Sequence, residues 1–151
     1  MTDEEMMAQA LEQAYLALAE GETPVGCVIV KEGRIIARGR NRRETEKDPT
    51  AHAEMEAIRA AARATGDWRL TGCELYVTLE PCPMCAGAVV QARLARVVYG
   101  AADPRQGCAG SVYRVTEDPA FTHFCPADGG VLEKECRAVL DEFFKSARQG
   151  R

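Results

Sequence analysis

Hydrophobic and polar positions along the chain change period several times, and each change marks an expected element. Apolar side chains at Met6, Met7, Ala10, Leu11, Ala14 and Leu18 follow helical spacing until Gly21. Thr2 stands three residues before Glu5, a capping-box spacing that starts this amphipathic helix. Residues 25–31 and 34–38 are rich in Val and Ile and flank Glu32-Gly33, the pattern of two strands joined by a tight hairpin. From 40 to 50 the chain turns polar and charged and ends in Asp48-Pro49-Thr50, where Pro49 stops what precedes it and Thr50 is placed to cap a helix over about 51–64. A strand over 75–79, a helix over 83–93 and a strand over 96–99 follow. This order implies neighbouring parallel strands joined by a right-handed crossover. Residues 100–110 and 117–130 carry the Gly and Pro of loops, and a last helix is expected over 131–147. The pattern is that of an α/β sheet protein without internal repeats.

At 151 residues, with 46% hydrophobic and 28% charged residues, the chain is expected to form one domain, spanning 1–151. No apolar run approaches the roughly 20 residues that cross a bilayer. Asp3, Glu4 and Glu5 near the start are unlike a secretory signal, so a soluble, cytoplasmic protein is expected. Seven scattered cysteines, an odd number, suit reduced thiols rather than a disulfide scaffold. The net charge of -4 gives no global attraction for nucleic acid, so any such contact must be local. Arg34, Arg38, Arg40, Arg42, Arg43 and Lys47 precede the second helix, and Lys145, Arg148 and Arg151 close the chain. A solvated charged face is the commoner meaning of such runs; a phosphate-tracking patch is the alternative.

The chemistry concentrates in two short segments. Pro81-Cys82-Pro83-Met84-Cys85 leaves a strand and opens a helix, so two thiols three residues apart share its first turn. The free amides and partial positive charge there favour thiolate, and Pro83 fits where no amide hydrogen is needed. By itself such a pair also reads as a redox motif, half of a zinc finger or two buried thiols. His52-Ala53-Glu54, thirty residues upstream, adds a nitrogen ligand and a carboxylate that need not bind metal. Positions two apart on a helix point about 200° apart, so a site using both must lie off the helix end. Three ligands, His52, Cys82 and Cys85, leave zinc a fourth position for water whose pKa falls toward neutrality. Glu54 then has the task of moving protons, unless it is simply an acidic residue favoured near a helix N-terminus.

H-x-E together with P-C-x-x-C is the signature of zinc-dependent nucleobase deaminases. Around it, Thr23-Pro-Val-Gly-Cys27, Asn41-Arg42, the segment from Asp48 to Glu54, the segment from Leu75 to Gly87, the segment from Arg96 to Gly100, and Phe143-Phe144 extend the match over nearly the whole chain. The sequence resembles the cytidine deaminase-like superfamily and, within it, the bacterial tRNA-specific adenosine deaminases. The resemblance implies a three-layer α/β/α fold with a central mixed five-stranded sheet. It also implies one Zn2+ per subunit on His52, Cys82 and Cys85, Glu54 as the proton carrier, and a homodimer. Asn41 would contact the purine, Val25 would wall the pocket, and Asp103 would touch the RNA. Thr122-His123-Phe124 stands where the family usually has an Asn-His pair, often followed by Arg. His123 keeps its place among the expected substrate contacts, while Thr122 departs from the pattern. Ala101 and Ala102 also replace a more basic approach to Asp103.

The favoured reaction is hydrolysis of adenosine to inosine in a tRNA anticodon stem-loop, with the base flipped out and ammonia released. Two rivals stand beside it. One is a deaminase of a free base or nucleoside such as guanine, cytosine or adenosine, which suits the acidic net charge. The other is a non-catalytic zinc-containing RNA-binding or partner protein, which has no need of Glu54. Cys27, Cys73 and Cys136 read as core residues, and Trp68 and Tyr76 as packing residues.

Overall fold

A computed structural model describes residues 1–149. Arg151, one of the cations grouped above, lies outside the described residues.

Helix α1 spans Asp3–Ala19 and starts as its spacing predicts. The Thr2 hydroxyl accepts the Glu5 amide at 3.1 Å, while the Glu5 carboxylate accepts the Thr2 amide at 3.4 Å. Its inner face buries Met6, Met7, Ala10, Leu11, Ala14 and Ala17. Strands β1 (Gly26–Lys31) and β2 (Arg34–Arg40) form the antiparallel hairpin. Its two turn residues, Glu32 and Gly33, both have positive φ, 52° and 77°, as a two-residue hairpin turn with the strands' own twist demands. There follow α2 (Arg43–Glu46), α3 (Ala53–Thr65), β3 (Cys73–Leu79), α4 (Pro83–Gln91), β4 (Arg96–Ala101), a 3-10 turn (Val115–Glu117), β5 (Ala127–Asp128) and α5 (Glu133–Gln149).

The five strands form one mixed sheet in the order β2-β1-β3-β4-β5. β1 runs antiparallel to β2 and β3, whereas β3 and β4 are parallel through α4, as are β4 and β5. Helices α1 and α5 touch each other and cover one face; α3 and α4 pack together on the other. The fold is therefore the expected three-layer α/β/α arrangement. Central β1 is apolar throughout Cys27–Val30 because both of its faces are covered, and Cys73 and Cys136 also lie in the core.

Two glycines let the layers close. A Cβ on Gly26 would lie 2.0 Å from the Ala10 carbonyl oxygen of α1, and one on Gly39 2.2 Å from that of Ala53 in α3. Each strand thus meets a helix backbone where no side chain fits.

The structure differs from the sequence-based expectation in four places. A short helix, α2, lies in the polar stretch, and a two-residue strand, β5, lies in the irregular one. Helix α3 is capped at His52 rather than Thr50; the Thr50 hydroxyl instead donates to Asp48 at 2.7 Å. The turn through Asp48, Pro49 and Thr50 carries the chain on to His52 before the helix begins, which moves the helix start to the motif itself. Trp68 is exposed under the guanidinium of Arg69, 4.4 Å from its ring centre, while Tyr76 is buried with its hydroxyl donating to Asp3.

Substituting Gly39→Ala is expected to lower stability by about 2 kcal/mol through overpacking of β2 against α3. Denaturant unfolding measures this, and an unchanged midpoint would show that the two layers have slack.

Candidate active site

Two helix N-termini meet at one end of the sheet. β3 runs out through Glu80 and Pro81 into Cys82, the N-cap of α4, with Pro83 in its first turn and Cys85 one turn in. α3 begins beside it, on the same face, with His52 as N-cap. An N-cap side chain ordinarily accepts a hydrogen bond from its own helix, yet neither His52 nor Cys82 does so. Both are turned toward each other. His52 Nδ1 lies 3.6 Å from the sulfur of Cys82 and 3.6 Å from that of Cys85, and all three ligand atoms lie within 4.8 Å of one another.

These separations fit zinc. With Zn–S near 2.3 Å and Zn–N near 2.0–2.1 Å, tetrahedral angles put nitrogen and sulfur about 3.6 Å apart. It is the one such cluster among the described residues, and Cys108 and Cys125 join no second one. The Cys85 thiol's hydrogen bond pulls Cys82 down to about 4, helped by His52, while the same bond and burial push Cys85 up. His52 is raised, first by its bond to Cys82. Binding a divalent metal takes the last thiol proton.

Glu54 follows His52 by two residues and is buried. Burial lifts its carboxyl to about 7, and the neighbouring Cys82 charge adds to the rise while His52 opposes it. A cation on the ligands pulls it back toward the charged form. Either way it is a proton acceptor within the cluster's reach and outside the ligand set.

The cluster opens into a cleft of about 800 Å³. Val25, Asn41 and Asp103 line its walls, with His52, Glu54 and Cys82 at the floor beside the cluster. The Asn41 amide is fixed at both ends, its nitrogen donating to Thr23 O and its oxygen accepting from Arg43 N, each at 3.1 Å. One N–H and one lone pair remain for a ligand. The Asp103 carboxylate accepts the Arg105 amide at 3.0 Å, which tightens the loop after β4.

His123 is not brought to this cleft. Its Nε2 lies 2.6 Å from the carbonyl of Leu94, ahead of β4, whereas the cleft sits beyond the C-terminal ends of β3 and β4. The basic run also divides. Arg43, Lys145 and Arg148 line the cleft. Arg40 instead pairs with Glu20 at 2.8 Å, Arg38 reaches Gln9, and Arg42 lies near Glu46. Arg137, which the sequence reading passed over, also lines the cleft and donates to Ala102 O. Its signal was the spacing of Arg137, Asp141, Lys145 and Arg148, which puts one polar face of α5 along the opening.

The description "cytidine and deoxycytidylate deaminase zinc-binding region" belongs to the family model that matches residues 1–101. A tRNA-specific adenosine deaminase of Bacillus subtilis (strain 168) is 49% identical over 150 residues, covering 99% of this chain and 93% of the relative. A solved structure from work on A-to-I editing by tRNA:A34 deaminases at the wobble position of transfer RNA aligns with a TM-score of 0.86 at 44% identity, covering 89% of this chain and 98% of that one. A guanine deaminase structure from Bacillus subtilis aligns with a TM-score of 0.65 at 46% identity, over 68% of this chain and 66% of that one. With the zinc-binding region matched across its ligands and a relative alike over almost the full length, this chain belongs to the cytidine and deoxycytidylate deaminase family of zinc enzymes.

Proposed function

We propose that this chain, as a single domain, hydrolyses adenosine to inosine at the wobble position of tRNA and releases ammonia. The observation that carries this reading is the His52, Cys82 and Cys85 cluster with its 3.6 Å nitrogen-to-sulfur separations, set beside a buried carboxylate that is not a ligand. Similarity to tRNA-specific adenosine deaminases over nearly the full length supports the substrate.

In this reading His52, Cys82 and Cys85 hold the zinc. When bound, zinc supplies an open coordination position at which the pKa of water falls toward neutrality. Glu54 accepts the proton the attacking water gives up and delivers it to a ring nitrogen as the oxygen adds to the amine-bearing carbon. The same carboxyl then takes the remaining proton of the added hydroxyl and passes it to the exocyclic amine, so that the carbon–nitrogen bond breaks, ammonia leaves and the carbon keeps the oxygen as a carbonyl. Asn41 meets the edge of the base with its free N–H and lone pair, and Val25 packs on its face. The floor lies at the helix ends, so the base must leave its stack to reach it. Asp103 contacts the target nucleotide, and Arg43, Arg137, Lys145 and Arg148 face the phosphates of an anticodon stem-loop. His123 has no part in this set within one chain.

The exposed side chains of Val112, Tyr113, Phe121 and Phe124 favour a homodimer whose interface includes this segment. Seven unpaired cysteines suit a reducing cytoplasm. A second reading, deamination of a free purine base, draws on the alignment with guanine deaminase over two thirds of the chain.

The deciding experiment gives zinc-loaded protein an adenosine-34 anticodon stem-loop, free adenosine, guanine or cytosine. Inosine and equimolar ammonia are expected from the stem-loop alone, with binding that weakens as salt rises. Turnover of a free base with an inert stem-loop would establish the second reading. Glu54→Ala is expected to keep one zinc per chain and its folded stability while turnover falls by about 10³-fold or more; retained turnover removes Glu54 from the mechanism. Cys85→Ser should lower zinc content and thermal stability together, and unchanged metal analysis would refute the ligand set.

A further inference from the structure

The wall that carries Asp103 is a loop with no strand or helix of its own over 102–114, yet its inner amides converge on one side chain. Glu80, 2% exposed, accepts from the Asp103 amide at 3.0 Å, the Ala109 amide at 3.0 Å and the Ser111 amide at 2.9 Å. The Ser111 hydroxyl donates to it as well. Among the described residues it has no ion-pair partner, so its buried charge is held by these four donors. An uncompensated carboxylate would not stay buried, whereas one with several N–H and O–H donors does.

The residue type follows from that count. A carboxylate is acceptor-only and offers about four lone-pair sites, one for each donor here. Glutamine in its place would turn an NH2 group toward amides that are themselves donors. Gly107 is fitted to the same arrangement: a Cβ there would lie 2.4 Å from the Glu80 carboxyl carbon and 2.5 Å from the Asp103 carbonyl oxygen. The turn beyond is tied in too, since the Cys108 amide donates to Pro81 O at 2.8 Å. Glu80 and Pro81 lead directly into Cys82, so the stretch that delivers a metal ligand also carries the loop opposite the floor.

We propose that Glu80 is a positioning residue for substrate, fixing the Asp103 wall of the cleft at a set distance from the metal ligands. The proposal rests on the stem-loop reading for its kinetic test and on nothing beyond the hydrogen bonds for its structural one. A residue that only stabilised the fold would affect all substrate parameters alike. One that places Asp103 acts through it.

The test uses zinc-loaded full-length protein. Glu80→Gln should raise KM for the stem-loop about tenfold with kcat nearly kept and zinc content unchanged, since misplacing a binding group by about 1 Å has effects of this order or larger. In an Asp103→Ala background the same change should add little, because residues acting as a unit are not additive. Gly107→Ala, which crowds the carboxylate without removing a donor, should repeat the KM effect if Glu80→Gln folds poorly. Independently of activity, hydrogen exchange in Glu80→Gln should accelerate at the amides of Asp103, Ala109 and Ser111 while α4 stays protected. Effects that multiply with Asp103→Ala, loss of zinc, or unchanged exchange at those amides would each overturn the proposal. If the unmodified protein leaves the stem-loop untouched, the functional reading fails by itself and the exchange measurement still decides whether Glu80 holds the wall.

Discussion

The 3.6 Å separations between His52 Nδ1 and the two cysteine sulfurs exist because two helices begin side by side. Neither start is set by the motif residues alone. α4 begins where it does because β3 and β4 are parallel and need a crossover on one face. α3 lies on that same face because Gly39 lets its backbone sit against β2. Because both N-cap side chains are free of their own helices, two amide-rich helix ends add their positive potential to a site that must hold thiolates.

Three glutamates are buried near this end of the molecule, and their surroundings divide the work between them. Glu22 accepts from the Glu44 amide at 3.0 Å and from the amide and hydroxyl of Thr45, both at 2.6 Å, and so holds α2 and Arg43 at the cleft. Burial works to raise the pKa of Glu22 and of Glu80, but their hydrogen bonds outweigh it and both stay below the ordinary value. At Glu54 burial outweighs the hydrogen bonds, and the carboxyl rises to about 7. Two carboxylates thus favour the charged form and shape loops, and the third keeps a proton affinity useful near neutral pH. The same side chain serves as a fastener or keeps a higher proton affinity according to the donors around it.

Much of this was legible in the sequence. Capping-box spacing, the Glu32-Gly33 turn and the apolar runs of β1, β3 and β4 are local signals, and the structure keeps them with ends moved by one or two residues. The ligand set was readable because H-x-E paired with P-C-x-x-C points to a metal off a helix end, and the structure brings the His52, Cys82 and Cys85 ligand atoms within 4.8 Å of one another. What stayed hidden depends on contacts distant in the chain. β5 is two residues long and exists only because β4 offers it an edge. His52 as N-cap depends on the Asp48 turn, not on capping preference, under which Thr50 outranks it. Glu80 sits between Leu79 and Pro81 with nothing local to mark it, since its four donors come from positions 103–111. The basic run misled for the same reason: strand β2 turns Arg38 and Arg40 toward α1 and its C-cap, while α5 brings Arg137, Lys145 and Arg148 to the cleft from the far end of the chain.

An acidic chain proposed to act on RNA is less paradoxical once charge is placed in space. The net charge of -4 weakens attraction at long range, so this surface gathers few polyanions indiscriminately. Close to the opening the balance reverses, with Arg43, Arg105, Arg137, Lys145 and Arg148 set against Glu54, Glu80, Asp103 and Asp141. Two of those four anions are held by backbone amides, Glu80 by those of the loop and Asp103 by that of Arg105, and Arg137 is held by the Ala102 carbonyl. Phosphates close to the cleft then meet a field that phosphates elsewhere on the molecule do not. Screening over about 8 Å at physiological ionic strength confines that field to the mouth. In the proposed function this ties affinity to orientations in which a base also reaches the floor.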